Sequence, residues 1–171
     1  MKNSVVCLGV DPGLARVGYG AVLHTEAGLE ALNYGCIETK PKMSFTERLL
    51  VIYDSLQEQI TASSPDFMSV ERLFFGRNAT TAEYVYQARG VVMLLAAMNS
   101  LPVIEPAPNR IKMILCGTVK ADKAMVQTTI REVLSLDEIP KPDDTADALA
   151  AAVAGLSLRD KLLVRGDDTQ A

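Results

Sequence analysis

The run Val5-Val6-Cys7-Leu8-Gly9-Val10-Asp11-Pro12-Gly13 constrains this chain more than any other stretch. Apolar and β-branched residues end at once in a carboxylate and then a Pro-Gly turn. An apolar run bounded by turn signals reads as a buried strand. A carboxylate at its exit stands at the rim of the fold, where side chains from several elements can meet. A lone Asp before Pro-Gly is most often only a turn former. Asp11 therefore carries chemistry only if other acids converge on it.

Residues 17–23 read as a second strand, with glycines that permit close backbone approach. Ala27-Gly28 is a turn signal and residues 29–38 read as a third strand, so the first three strands form an antiparallel meander. Ser44 and Glu47 form a capping box for a helix that ends near Ser63-Ser64-Pro65. Residues 66–71 read as a fourth strand, again closing in an acid, Glu71. A long helix runs from Thr80 or Thr81 to about Ser100. It is apolar on more of its circumference than a one-sided surface helix needs, which suits a dimer contact or a central core helix. A short strand at 101–105, a helix at 109–116 broken by Gly117, and a helix at 123–136 capped by Asp122 follow. An Ala-rich helix opens at Asp143-Asp144-Thr145-Ala146-Asp147 and runs to about Leu158. Residues 1–160 thus read as one α/β three-layer domain with a mixed sheet, and 161–171 as a flexible tail.

With 171 residues, 49% hydrophobic and 22% charged, the composition is that of one ordinary globular domain. No stretch is long and apolar enough to span a membrane, and the opening Met-Lys-Asn leads straight into a strand without a signal peptide. Cys7, Cys36 and Cys116 are odd in number and lack a CxxC, which argues for reduced thiols in a cytoplasm and against zinc. The single histidine, His24, argues against a Ser-His triad or a multi-histidine metal site. A net charge of −4 mildly opposes nucleic-acid binding. Acids gathered in a catalytic cluster would lower that figure without touching a binding face.

If the strands ending in Asp11 and Glu71 are parallel neighbours, both carboxylates emerge at one edge of the sheet. Asp144 and Asp147 stand at i and i+3, so they share a helix face. In isolation these last acids suit a dipole-matched first turn. Brought together, four carboxylates repel and raise one another's pKa values unless a cation compensates them. Oxygen-only ligands suit magnesium or manganese. Two such ions about 4 Å apart can activate a water and stabilise the leaving oxygen of a phosphodiester. Phe74 and Phe75, followed by Arg77, are placed to stack on unpaired bases, or to plug the core beneath a loop. Arg77, Arg110, Lys112, Lys120 and Lys123 read as phosphate contacts beside the acids, or as a solvated face.

Leu8-Gly9-Val10-Asp11-Pro12-Gly13 with Val17-Gly18-Tyr19-Gly20, and then Gly35-Cys36-Ile37-Glu38-Thr39-Lys40, resembles the start of the RuvC Holliday-junction resolvase family. The likeness continues through Val70-Glu71-Arg72-Leu73-Phe74-Phe75-Gly76-Arg77-Asn78-Ala79, Gln87-Ala88-Arg89-Gly90-Val91, Lys112, Lys123 and Val126-Gln127. It closes with Asp144-Thr145-Ala146-Asp147-Ala148-Leu149-Ala150, in order and with the family's spacing. The resemblance implies a ribonuclease-H-like fold: a five-stranded mixed sheet, the meander of strands 1-2-3 plus parallel strands, flanked by helices. It implies a homodimer that nicks four-way DNA junctions symmetrically, in cooperation with the RuvA–RuvB branch-migration complex. It also implies catalysis by Mg2+, with Mn2+ able to substitute, at two ions per subunit when DNA is bound. On the family's motifs the metal-binding, catalytic acids fall on Asp11, Glu71, Asp144 and Asp147. The aromatic near the junction centre falls on Phe74, and the lysines beside the active site on Lys112 and Lys123. Asp143 is out of register with that motif and is assigned as a helix cap. Rival readings are a YqgF-like nuclease on the same fold, one half of an actin-like ATPase, and a junction-binding protein without catalysis.

Overall fold

In the computed structural model, which describes residues 4–73 and 79–164, the opening run forms strand β1 (Val5–Asp11). It pairs antiparallel with β2 (Arg16–Thr25), which pairs antiparallel with β3 (Gly28–Glu38). Helix α1 (Phe45–Ser63) leads to β4 (Phe67–Val70), parallel to β1, and helix α2 (Ala79–Met98) leads to β5 (Val103–Ile104), parallel to β4. Helices α3 (Pro108–Cys116), α4 (Lys123–Val133) and α5 (Asp143–Val164) complete the chain. The sheet order is β3-β2-β1-β4-β5. This is the expected five-stranded mixed sheet, meander included.

Strand alternation sorts β1 into two faces. Leu8 and Val10 pack with Ile52, Leu56, Val92 and Leu95, so α1 and α2 cover one face. Val5 and Cys7 pack with Ile111, Ile130, Leu149 and Ala152, so α3, α4 and α5 cover the other. Helix α5 lies against the sheet at backbone distance, because both surfaces carry small residues. A Cβ at Gly9 would overlap the Ala148 carbonyl, and one at Gly18 would overlap the Asp144 carbonyl. A Cβ at Gly155 would stand 2.7 Å from the Ser69 Oγ. The helix answers with Ala146, Ala148, Ala150, Ala151, Ala152 and Ala154, all buried.

The expected caps form. The Ser44 Oγ accepts from the Glu47 N–H at 3.3 Å while the Ser44 N–H donates to the Glu47 Oε2 at 2.7 Å. Asp122 Oδ1 accepts from the Met125 N–H at 2.8 Å. Four elements differ in extent from expectation. Strands β4 and β5 are shorter than 66–71 and 101–105, although the Asp66 N–H still reaches the Val6 carbonyl and the Arg72 N–H the Pro106 carbonyl. Helix α4 stops at Val133, three residues early, where Ser135 takes a left-handed φ of 51° and the Leu136 N–H folds back to the Arg131 carbonyl. Helix α5 runs past Leu158 into the expected tail, as far as Val164; residues 165–171 lie outside the described chain.

Gly18→Ala should lower stability by about 1–3 kcal/mol, because the atom it meets is helix backbone that must move away as a body. Denaturant unfolding of the two proteins checks this; equal midpoints would mean that α5 does not rest on Gly18.

Candidate active site

Asp11 is the last residue of β1 and, by alternation from Cys7 and Gly9, points to the α5 face. Val10 pairs with Val70 in parallel register, so Glu71 is the next residue opposite Asp11. Phe67 packs in the α5-side core and the Ser69 side chain meets Gly155, so the same alternation turns Glu71 to that face. Across the other edge Asp11 pairs with Gly18, the residue on which the Asp144 carbonyl rests. One register and one close contact therefore bring both strand-end acids under the first turns of α5, which carries Asp144 and Asp147.

The electrostatics show that these acids share a field. The Asp11 carboxyl is pushed up to about 7, first by burial and then by Asp147, Glu71 and Asp144, with Lys123 partly offsetting them. Glu71 is raised by burial and by Asp147, against the pull of Lys112. Asp147 is raised by burial, against the Lys123 ammonium. Two of the protein's own cations pair with these acids directly. Lys123 Nζ lies 3.3 Å from Asp147 Oδ2, and Arg16 Nη1 lies 3.7 Å from Asp144 Oδ2. Among the described residues, no three such side chains are drawn close enough together to grip a metal ion as they stand. Uncompensated carboxylates repel, and these two ion pairs offset part of that repulsion.

Glu71 and Asp147 line a cleft of about 220 Å³ with Lys112 and Lys123, floored by Pro108, Ile111, Val126 and Ala150. The donors fit a hard divalent ion: they are carboxylate oxygens without nitrogen or sulfur ligands, and they are raised first by burial and then by one another's charge. Lys112 and Lys123 both line this cleft. Phe74 and Arg77 lie outside the described residues.

One assignment needs correcting. Asp143 is not a side-chain cap; its carboxylate takes the Lys123 ammonium at 3.0 Å and the Gln127 Nε2 at 3.1 Å. Sequence reasoning also missed Arg16, which bridges Asp144 and, at 3.5 Å, Glu38. The signal for Arg16 is the register that sets it opposite Glu38, visible only once β2 and β3 are paired.

The family model described as crossover junction endodeoxyribonuclease RuvC matches residues 7–155. A Treponema denticola protein of that name is 44% identical over 160 residues, covering 93% of this chain and 90% of that one. A Thermus thermophilus RuvC structure superposes with a TM-score of 0.84 at 30% identity, covering 91% of this chain and 96% of that one. The T. thermophilus protein in complex with a Holliday junction substrate gives 0.83 at 29% identity, with the same coverage of 91% and 96%.

The raised Asp11 carboxyl fixes the sign of a pH effect. Between about pH 4 and pH 7 the folded chain keeps a proton on Asp11 that the unfolded chain has released. The metal-free protein should therefore lose stability as pH rises through that window. Asp11→Asn should be more stable than the parent at pH 7.5, on the order of 1–4 kcal/mol, and indistinguishable from it near pH 4. Denaturant midpoints at the two pH values check this; the same difference at both would contradict it.

Proposed function

The chain belongs to the RuvC family of crossover junction endodeoxyribonucleases, and from that membership we propose how its residues resolve a four-way DNA junction. The reaction is metal-dependent phosphodiester hydrolysis by a Holliday junction resolvase. The observation that carries the assignment of residues is the register Val10–Val70, which makes Asp11 and Glu71 neighbours beneath Asp144 and Asp147. Those four carboxylates would hold the metal: magnesium, with manganese able to substitute, and two ions per subunit once DNA is bound. The bound metal supplies an activated water and relieves charge on the leaving oxygen.

The protein's own part is placement. Asp11, whose carboxyl is pushed up by burial and by the neighbouring acids, would be held as the carboxylate by a cation bound among them. Lys112 and Lys123 sit on the cleft wall, where ammonium groups hold the non-bridging oxygens of a phosphate. Pro108, Ile111, Val126 and Ala150 form the apolar side of the same cleft, which lowers the local dielectric around these charges. Phe74 and Arg77 are assigned to the DNA beyond the cleft on the family likeness alone.

Paired nicks need two such sites, and the outer face of α2 supports a homodimer. Leu94 and Met98 are 55% and 58% exposed there, and Leu50 on the neighbouring α1 is 57% exposed. Tyr84 is exposed as well, leaning on Phe45 with ring centroids 5.4 Å apart. Large apolar side chains exposed on neighbouring helices suit a surface that another protein covers. The family likeness also supports cooperation with the RuvA–RuvB complex. No described helix is long and apolar enough to cross a membrane, and the free cysteines suit the cytoplasm.

Incubation with a synthetic mobile four-way junction should give symmetric, ligatable nicks with magnesium and none with a chelator. Glu71→Gln should slow cleavage by at least about a hundredfold while junction binding persists. Cleavage by that variant at the parent's rate would sink the assignment. Leu94→Arg should sediment as a monomer where the parent is a dimer, because a charge in the middle of that contact would be buried unpaired. Unchanged sedimentation would place the dimer contact elsewhere.

A further inference from the structure

Lys123 occupies a position that its own helix disfavours. It is the first residue of α4, directly after the Asp122 cap, where the helix end carries partial positive charge. What holds it there is the start of α5. Its Nζ lies 3.0 Å from Asp143 Oδ2 and 3.3 Å from Asp147 Oδ2. Asp143 is itself held from the other side. Its Oδ1 accepts from Gln127 Nε2 at 3.1 Å, and Gln127 is four residues after Lys123, on the same face of α4. Each carboxylate oxygen of Asp143 is thus engaged by one α4 side chain, which orients the group and joins the two helix starts.

The two acids that share the lysine have different fates. Asp147 is read as a metal ligand, and the present inference rests on that reading; Asp143 is not a ligand. A divalent ion on Asp147 would repel the ammonium beside it and take over the oxygen that now faces it. Lys123 would then keep one anchor. The geometry points to Asp143 as the positioning residue of Lys123: it retains the ammonium at the wall of the cleft, within reach of the scissile phosphate, when metal displaces it from Asp147. Gln127 assists by fixing the carboxylate plane. Asp143 touches neither metal nor phosphate in this scheme and acts only through the lysine.

The test has two readouts. The first is the rate at which Lys123 is acylated by an amine-reactive ester, read by peptide mass spectrometry without DNA. In the parent, magnesium should change that rate less than about twofold. In Asp143→Asn, which keeps the shape and the amide oxygen for Gln127, magnesium should raise it about fivefold or more. Equal responses in the two proteins would overturn the proposal. The second is a double-mutant cycle on single-turnover junction cleavage. Lys123→Gln and Asp143→Asn should each slow cleavage, and the double variant should be no slower than Lys123→Gln alone. Multiplying effects would mean that Asp143 acts through its charge on the site and not through the lysine, which overturns the proposal. Cleavage by Lys123→Gln at the parent's rate would overturn it from the other side, by removing Lys123 from the reaction while leaving the four-acid site standing.

Discussion

Everything at the site depends on how closely α5 lies on the sheet. A helix normally stands off a sheet by the depth of two layers of side chains. Here Gly9 and Gly18 offer bare backbone, and the helix replies with alanine and with its own carbonyls. The approach sets the height of Asp144 and Asp147 above the strand ends. A side chain at Gly18 would lift the start of α5 and carry both acids away from Asp11 and Glu71. The small residues are therefore as much a part of the site as the carboxylates.

The second constraint is electrostatic and opposes the first. Packing gathers negative charge into a partly buried space, and the fold pays in stability for holding it. The raised carboxyls of Asp11, Glu71 and Asp147 measure that conflict. Lys123 and Arg16 moderate it without removing it. An added positive charge among these acids would relieve the same conflict further. Functional sites commonly carry such local conflict, compensated elsewhere in the core.

Much of this was legible in the amino-acid sequence, and the reasons are local. The apolar run into Asp11 announces a buried strand with an acid at its rim, and Ser44 with Glu47 announces a helix start. Asp122 and Gly117 mark boundaries by chemistry that depends on a few adjacent residues. What stayed hidden depends on tertiary pairing. Nothing local says that Asp143 faces Lys123 across two helices, and a first-turn acid looks like a cap until its partner is placed. Arg16 is silent until β2 and β3 are in register. The short β5 reflects competition at the sheet edge, where single backbone bonds replace a continued ladder. The reach of α5 past Leu158 was missed because its terminal turns lack the strong small-residue pattern of its buried middle.

The claim beneath all of this is that strand-end and helix-start oxygens close around one cation position. Crystals of the protein soaked in manganese, with anomalous scattering recorded at the metal edge, test it most directly. The account predicts a peak within coordination distance of an Asp11 oxygen and of oxygens from Glu71, Asp144 or Asp147, with Lys123 drawn to Asp143. A fully occupied peak elsewhere, or well-ordered acids with no peak between them at saturating manganese, would contradict it.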